Sequence, residues 1–179
     1  MRRYLPFVVV SLVVAMAVVF SSPPPPDVSA QSTGAGVEVF DQCENGGPPS
    51  PNTGCVEWTN GALNSTNSHY AEDDVVPQRL VLSLPAGGAT TGRTVTIEYQ
   101  TLKGGKHAYD SLATWNYTQT TADRCQDLAP ANCPSGDPST FTIPSDAPGH
   151  ELPEADRKMT MYGGTITNVE ALGHTPSGG

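Results

Sequence analysis

The sequence predicts an all-β fold, an antiparallel β-sandwich or jelly roll of about eight short strands with disulfide-stapled loops. Three observations predict it. Two runs in the middle of the chain alternate apolar and polar residues with period two. Gly and Pro, 18 and 17 of 179 residues, punctuate the chain at short intervals. Four cysteines all follow an N-terminal segment that reads as an export signal.

The alternation is clearest in Arg79–Leu84, where Leu80, Leu82 and Leu84 share one face, and in Thr94–Gln100, where Val95, Ile97 and Tyr99 do. Successive strand side chains point to opposite faces, so strict alternation marks a strand half-buried on a core. Pro85 to Gly92 between them reads as a hairpin loop. Before these runs, Val37–Phe40 and Cys55–Trp58 read as short strands, the latter followed closely by the turn formers Asn60-Gly61. Asn64 to Asp74 is polar and reads as a connection. After them, His107–Leu112 fits either a strand or a short helical turn. Thr114–Thr118 alternates, with Trp115 and Tyr117 together. Thr140–Ile143 is a strand stopped by Pro144. Lys158–Tyr162 and Thr165–Val169 form two more, joined at Gly163-Gly164. No window carries an apolar stripe with the helical period of about 3.6 residues.

The N-terminus has the three-part plan of a secretory signal. Arg2 and Arg3 supply positive charge, Leu5–Phe20 is apolar but for Pro6 and Ser11, and Val28-Ser29-Ala30 offers small residues for cleavage before Gln31. Pro23-Pro24-Pro25-Pro26 lengthens the region before the cut. The same segment left uncleaved is an anchor on a stiff polyproline spacer. Either outcome places the folded part outside the cytoplasm. The organisation read from the sequence is therefore a signal peptide at 1–30, a flexible arm at 31–36, one β-sandwich domain at 37–172 and a disordered tail or truncation point at 173–179.

An even cysteine count in an exported chain implies disulfides. Cys43 and Cys55 bracket ENGGPPSPNTG, and Cys125 and Cys133 bracket another loop rich in turn formers. Short loops of this kind close readily, so the favoured bridges are Cys43–Cys55 and Cys125–Cys133. Neither spacing has the close CxxC pairs that zinc sites use.

The net charge of −9 excludes some partners. Phosphate backbones and anionic membrane surfaces need clustered Lys and Arg, and the mature chain has no such cluster. The partner class left is an extracellular protein or glycan; nothing in the pattern fixes an oligomeric state.

Candidate chemistry is sparse. Glu72-Asp73-Asp74, with Asp110 or the nearby Asn64 and Asn67 to complete a shell, offers hard oxygen ligands for calcium, the one cofactor considered, but lacks the spaced DxDxDG pattern. Trp58, Trp115 and Tyr117 are candidates for stacking on sugar rings, although large aromatics more often fill a sandwich core. Gly87-Gly88-Ala89-Thr90-Thr91-Gly92-Arg93-Thr94 is spaced like a phosphate loop. It has Arg where Lys is needed and runs into a strand, so no helix N-terminus follows to hold phosphate. His69 with Glu72 and His107 with Asp110 share a spacing that pairs metal ligands only on a helix. No GxSxG elbow positions a serine nucleophile. Asn64-Ser65-Thr66 and Asn116-Tyr117-Thr118 fit the glycosylation sequon.

One resemblance rests on Trp58-Thr59-Asn60-Gly61-Ala62-Leu63-Asn64, on Asn67–Arg79 (NSHYAEDDVVPQR), on Thr96-Ile97-Glu98-Tyr99 and on Lys103–Asp110 (KGGKHAYD). These stretches resemble an uncharacterised β-rich module near the start of large bacterial surface proteins that continue into prealbumin-like or immunoglobulin-like repeats. The resemblance implies a β-sandwich at the cell surface and brings no known activity. The leading functional expectation is a secreted or surface-displayed structural or binding module without catalytic activity, adhesin-like. The alternatives are a carbohydrate-binding or calcium-dependent extracellular module, and a secreted hydrolase whose carboxylates meet only in the fold.

Overall fold

The computed structural model describes residues 8–16, 28–32, 36–47, 54–86, 89–99, 102–103, 106–107, 109–145 and 152–173. The polyproline spacer, residues 33–35 of the arm, Gly87-Gly88 and the tail from His174 lie outside the described residues.

Turn formers cut the chain into short pieces, and the pieces pair as strands. Among the described residues these are β1 (Val8–Met16), β2 (Val28–Ser32), β3 (Gly36–Glu44), β4 (Glu57–Thr59) and β5 (Asp74–Ser83). There follow β6 (Val95–Tyr99), β7 (Leu102–Lys103), β8 (Lys106–His107), β9 (Tyr109–Ala113), β10 (Ser139–Thr142) and β11 (Lys158–Tyr162). Two 3-10 turns, Pro130–Asn132 and Glu154–Asp156, complete the regular structure of the described residues. Every pairing is antiparallel. The all-β, antiparallel, disulfide-bonded character expected from the sequence is therefore present, with more strands than the eight expected.

The main sheet has seven strands in the order β10-β11-β1-β5-β3-β4, with β9 also paired to β1. β2 pairs with β6, and β7 with β8. The segment read as an export signal thus supplies β1 and the first three residues of β2.

β5 is the spine of the sheet. Its sequence, DVVPQRLVLS, is rich in Val and Leu, which suit a pleated buried surface. All residues from Val75 to Leu82 are buried, so the half-buried strand expected from the leucine rhythm is covered on both faces. On one face, Leu80 and Leu82 pack with Phe40, Val95, Met159 and Met161. On the other, Val75 packs with Ala113, Trp115 and Leu152. A third cluster joins Cys43, Trp58, Leu63, Tyr70, Val76 and Tyr109, with Ile97 and Tyr99 of β6 against it. Fully burying one such Val or Leu contributes about 1.5–3 kcal/mol.

Several expectations are corrected. Pro85 to Gly92 does not close a hairpin: β6 leaves the sheet of β5 and pairs with β2 instead. Thr114–Thr118 is a turn, not a strand. Thr114 accepts a hydrogen bond from Lys158 N at 3.1 Å and Thr118 Oγ1 one from Val75 N at 2.8 Å. The turn is closed by the Tyr117 amide donating to Thr114 O at 3.0 Å. Thr165–Val169 forms no strand either; the Ile166 amide donates to Ser139 Oγ at 3.2 Å. The first predicted strand, Val37–Phe40, extends to Gly36–Glu44, with a register shift between Val37 and Val39. His107–Leu112 resolves as strand, in β8 and β9.

Candidate functional site

The cysteines pair as the loop chemistry suggests. Cys43 joins Cys55 with Cα atoms 5.2 Å apart, and Cys125 joins Cys133 at 5.5 Å. No free cysteine is found among the described residues.

The second disulfide loop contains no strand. Its backbone closes on itself through short turns, Leu128 N to Cys125 O at 3.0 Å and Asn132 N to Ala129 O at 2.8 Å. Asp123 opens it by accepting the Cys125 amide at 2.9 Å. Two arginines then fix it to the sheet. Arg79, in the middle of β5, is buried to 2% exposure. Its Nε and Nη2 both donate to Asp41 Oδ2, at 3.1 and 2.8 Å. Its Nη1 donates to the carbonyl oxygens of Arg124, at 3.3 Å, and Gln126. The same guanidinium lies 4.6 Å from the centre of the Trp58 ring. A planar, always-charged fork suits this role, because it pairs a carboxylate, stacks on a ring and reaches two carbonyls at once. Arg124 is the second clamp. It stacks 3.4 Å from the Tyr162 ring centre, and its two terminal nitrogens reach Cys133 Sγ at 3.0 Å and Pro134 O at 2.8 Å. Trp58 Nε1 donates to Asp123 O at 2.9 Å, and Gln126 Nε2 to Val56 O at 2.8 Å. The loop's outer residues Asp127, Ala129, Pro130 and Ala131 stay exposed.

The first disulfide sits at the β3–β4 edge, where Cys43 is in register with Trp58 and Glu44 with Glu57. The polar stretch after it folds back onto it. Asn67 Nδ2 donates to Glu44 Oε1 at 2.8 Å, and Asn67 Oδ1 accepts from Asn64 N at 2.8 Å. Buried Asn45 accepts the His69 amide at 2.9 Å. His69 Nδ1 lies against Gly46 O, and Tyr70 OH donates to Cys43 O at 2.8 Å. Burial pushes the Tyr70 phenol far above its ordinary value, with Asp74 adding to the effect. Burial also raises the Glu44 carboxyl; the Asn67 hydrogen bond opposes this, and Glu57 across the ladder reinforces it.

The sequence candidates are not brought together. Trp58 is 7% exposed and spent on Arg79 and Asp123. Trp115 is half-buried against Val75 and Ala113. Tyr117 alone of the three is open to solvent, at 43%. In the acidic run, Glu72 and Asp73 are exposed, and Asp73 holds a positive φ of 69°, which Asp tolerates better than most residues. Asp74 Oδ2 is turned onto its own loop, accepting from Ala71 N at 2.8 Å. The backbone of Asp110 lies in β9, and its side chain is outside the described residues. Among the described residues no group of three His, Cys, Asp or Glu is placed to hold a metal. Arg79 and Arg124 were missed by sequence reasoning, and Asn67, a candidate calcium ligand in the sequence, instead ties Glu44 to Asn64. For Arg79 a signal existed: a charged residue between Gln78 and Leu80 inside an apolar strand.

A different feature lies on the far edge of β5. There β1 is paired over nine residues, from Val8 with Leu82 to Met16 with Asp74. Its other edge is shared between β11, at Val9–Ser11, and β9, at Val13–Met16. Gln78 of β5 stands opposite Leu12 on this side and Gln42 on the other. Its side chain is 1% exposed, and neither its amide nitrogen nor its amide oxygen has a hydrogen-bond partner. Gln42 directs its own Nε2 to Gly61 O at 2.7 Å, and its Oε1, like the Gln78 amide, is buried without a partner. Buried amides are nearly always paired, so the Gln78 side chain is an exception.

No family model, no curated protein and no solved structure matches this chain. Among the described residues no helix is long and apolar enough to cross a membrane. The two disulfides are compatible with an extracellular location.

Proposed function

We infer that this chain is an exported structural or binding module of adhesin-like kind, secreted or displayed at the cell surface, and not an enzyme. The carrying observation is the second disulfide loop. Its tip is exposed while Arg79, Arg124, Trp58 and Gln126 hold it from below. A loop fixed before contact loses little conformational freedom on binding, and rigid scaffolds carry recognition on such loops. Arg79, Arg124 and Asn67 are engaged in holding loops.

The fold that goes with this reading is a β-sandwich. β6 belongs to its second layer, with Val95, Ile97 and Tyr99 packed against residues of the main sheet. The partner class is an extracellular protein or glycan, and the site needs no cofactor. The kinship inferred from the sequence, with modules ahead of prealbumin-like or immunoglobulin-like repeats, belongs to the same reading.

The test uses labelled, oxidised protein and envelope material from the producing cells, split into protein and polysaccharide fractions. Saturable binding to one fraction, weakened about tenfold by Ala131→Arg at unchanged melting temperature, is the expected result. Binding indifferent to Ala131→Arg, or turnover of polysaccharide, peptide or ester substrates, contradicts the proposal.

A further inference from the structure

The seat of β1 has two features that point past its present occupant. The first is sequence. Val8–Met16 lies inside the segment read as an export signal, and the cut after Ala30 would remove it. The second is Gln78, fully buried in β5 with both ends of its amide unpaired. The residue in register with it on β1 is Leu12, which offers no hydrogen bond. An unpaired buried amide costs about 1–3 kcal/mol, so the seat is better made for a strand with a polar residue there.

We propose that β5, β9 and β11 frame an acceptor site for an extended apolar strand of a partner chain, with Asn or Gln opposite Gln78. The proposal rests on the export reading, because processing is what empties the seat. Removal of β1 leaves the β5 edge unpaired along nine register positions, together with the facing edges of β9 and β11. Unpaired strand edges flanking a gap are a template for β-augmentation, in which main-chain hydrogen bonds supply affinity and alternate side chains supply specificity. The occupant must be apolar on both faces, because β5 is buried on both from Val75 to Leu82. It must be extended over about 30 Å, nine residues at the strand rise. It carries little charge, and its one polar side chain answers the Gln78 amide.

The experiment uses the full chain with a specific protease site inserted between Met16 and Val28. After folding with both disulfides, the chain is nicked and offered two lysine-flanked fluorescent peptides. One has the Val8–Met16 sequence, and the other carries Asn at the Leu12 position. Both are expected to enter the nicked protein by displacing the cleaved strand. The Asn peptide is expected to bind about fivefold tighter, the gain from satisfying one buried amide. In the Gln78→Leu chain the preference disappears or reverses. Entry of neither peptide, or equal affinity of the two for the wild-type chain, overturns the proposal. N-terminal sequencing of the exported protein separates the premise from the site. A chain beginning at Met1 means the seat is never emptied, which overturns the cleavage premise and with it the partner strand, whatever the peptides do. A chain beginning after Ala30 leaves the peptide result to decide.

Discussion

The two disulfide loops are similar in sequence and different in support. Both are short, rich in turn formers and closed by cysteines 12 and 8 residues apart. The Cys43–Cys55 loop leads from one strand to the next. Its two ends are also held by the β3–β4 ladder and by the Val56 amide on Glu44 O at 2.7 Å. The Cys125–Cys133 loop is flanked by no ladder. What attaches it is a set of side chains reaching from the sheet, Arg79 above all. The lesson is that a disulfide closes a loop but does not place it. Placement comes either from a strand pair that shares the load or from a few buried polar contacts.

The largest expected effect follows from that difference. Arg79→Ala leaves Asp41, whose side chain is 14% exposed, without its partner, and orphans two loop carbonyls. Removing one member of a buried pair costs about 3–5 kcal/mol. Denaturant unfolding should report a loss of that size, and Arg79→Lys should recover only a minor part, because an ammonium cannot make the forked contacts. A loss under about 1 kcal/mol would remove Arg79 from the account of how the loop is held.

Cysteine substitution sharpens the comparison. Cys43→Ser with Cys55→Ser, and Cys125→Ser with Cys133→Ser, should each cost about 2–3 kcal/mol, since the closed loops are similar in length. The global cost will hardly distinguish them, but local exchange will. Amides of β3 and β4 should keep their protection in the first variant, whereas Leu128 and Asn132 should lose theirs in the second.

The smallest effect concerns acid. The Glu44 carboxyl is raised by burial and by Glu57. A group with a raised folded value adds stability below its unfolded value, and that stability is lost as pH rises through the folded one. Stability should therefore gain slightly as pH falls through the raised value toward the ordinary glutamate range of about 4.3. Glu44→Gln should flatten that gain in melting curves taken across the interval. An unchanged acid-side slope would show that Glu44 does not report on this edge.

Much of this frame was legible beforehand, and for physical reasons. The leucine and valine rhythms of β5 and β6 expressed strand geometry directly. The cysteine spacings identified bridges because short loops of turn formers close easily. What the sequence hid was anything set by a distant partner. Period two says that Leu80 and Leu82 share a face, but not that the face of Arg79 is also roofed, since the roof comes from residues 124–126. Thr114–Thr118 has a strand's pattern, yet its hydroxyls bond the distant amides of Lys158 and Val75 while its backbone closes a turn from Tyr117 N to Thr114 O. Trp58 was a candidate for sugar stacking until Arg79 and Asp123 claimed its ring face and its nitrogen. The acidic run could not announce that Asp74 caps its own loop.

On the proposed binding role, the second disulfide loop is held in one pose by Arg79 and Arg124 and offers its exposed tip as the contact face. Native-state amide exchange at Gln126, Leu128 and Asn132 tests it most directly, compared between wild type and Arg124→Ala with β5 amides as the internal standard. Protected loop amides in the wild type and a selective loss in the variant, with β5 unchanged, are the expected outcome. Loop amides that already exchange freely in the oxidised wild-type protein would contradict it.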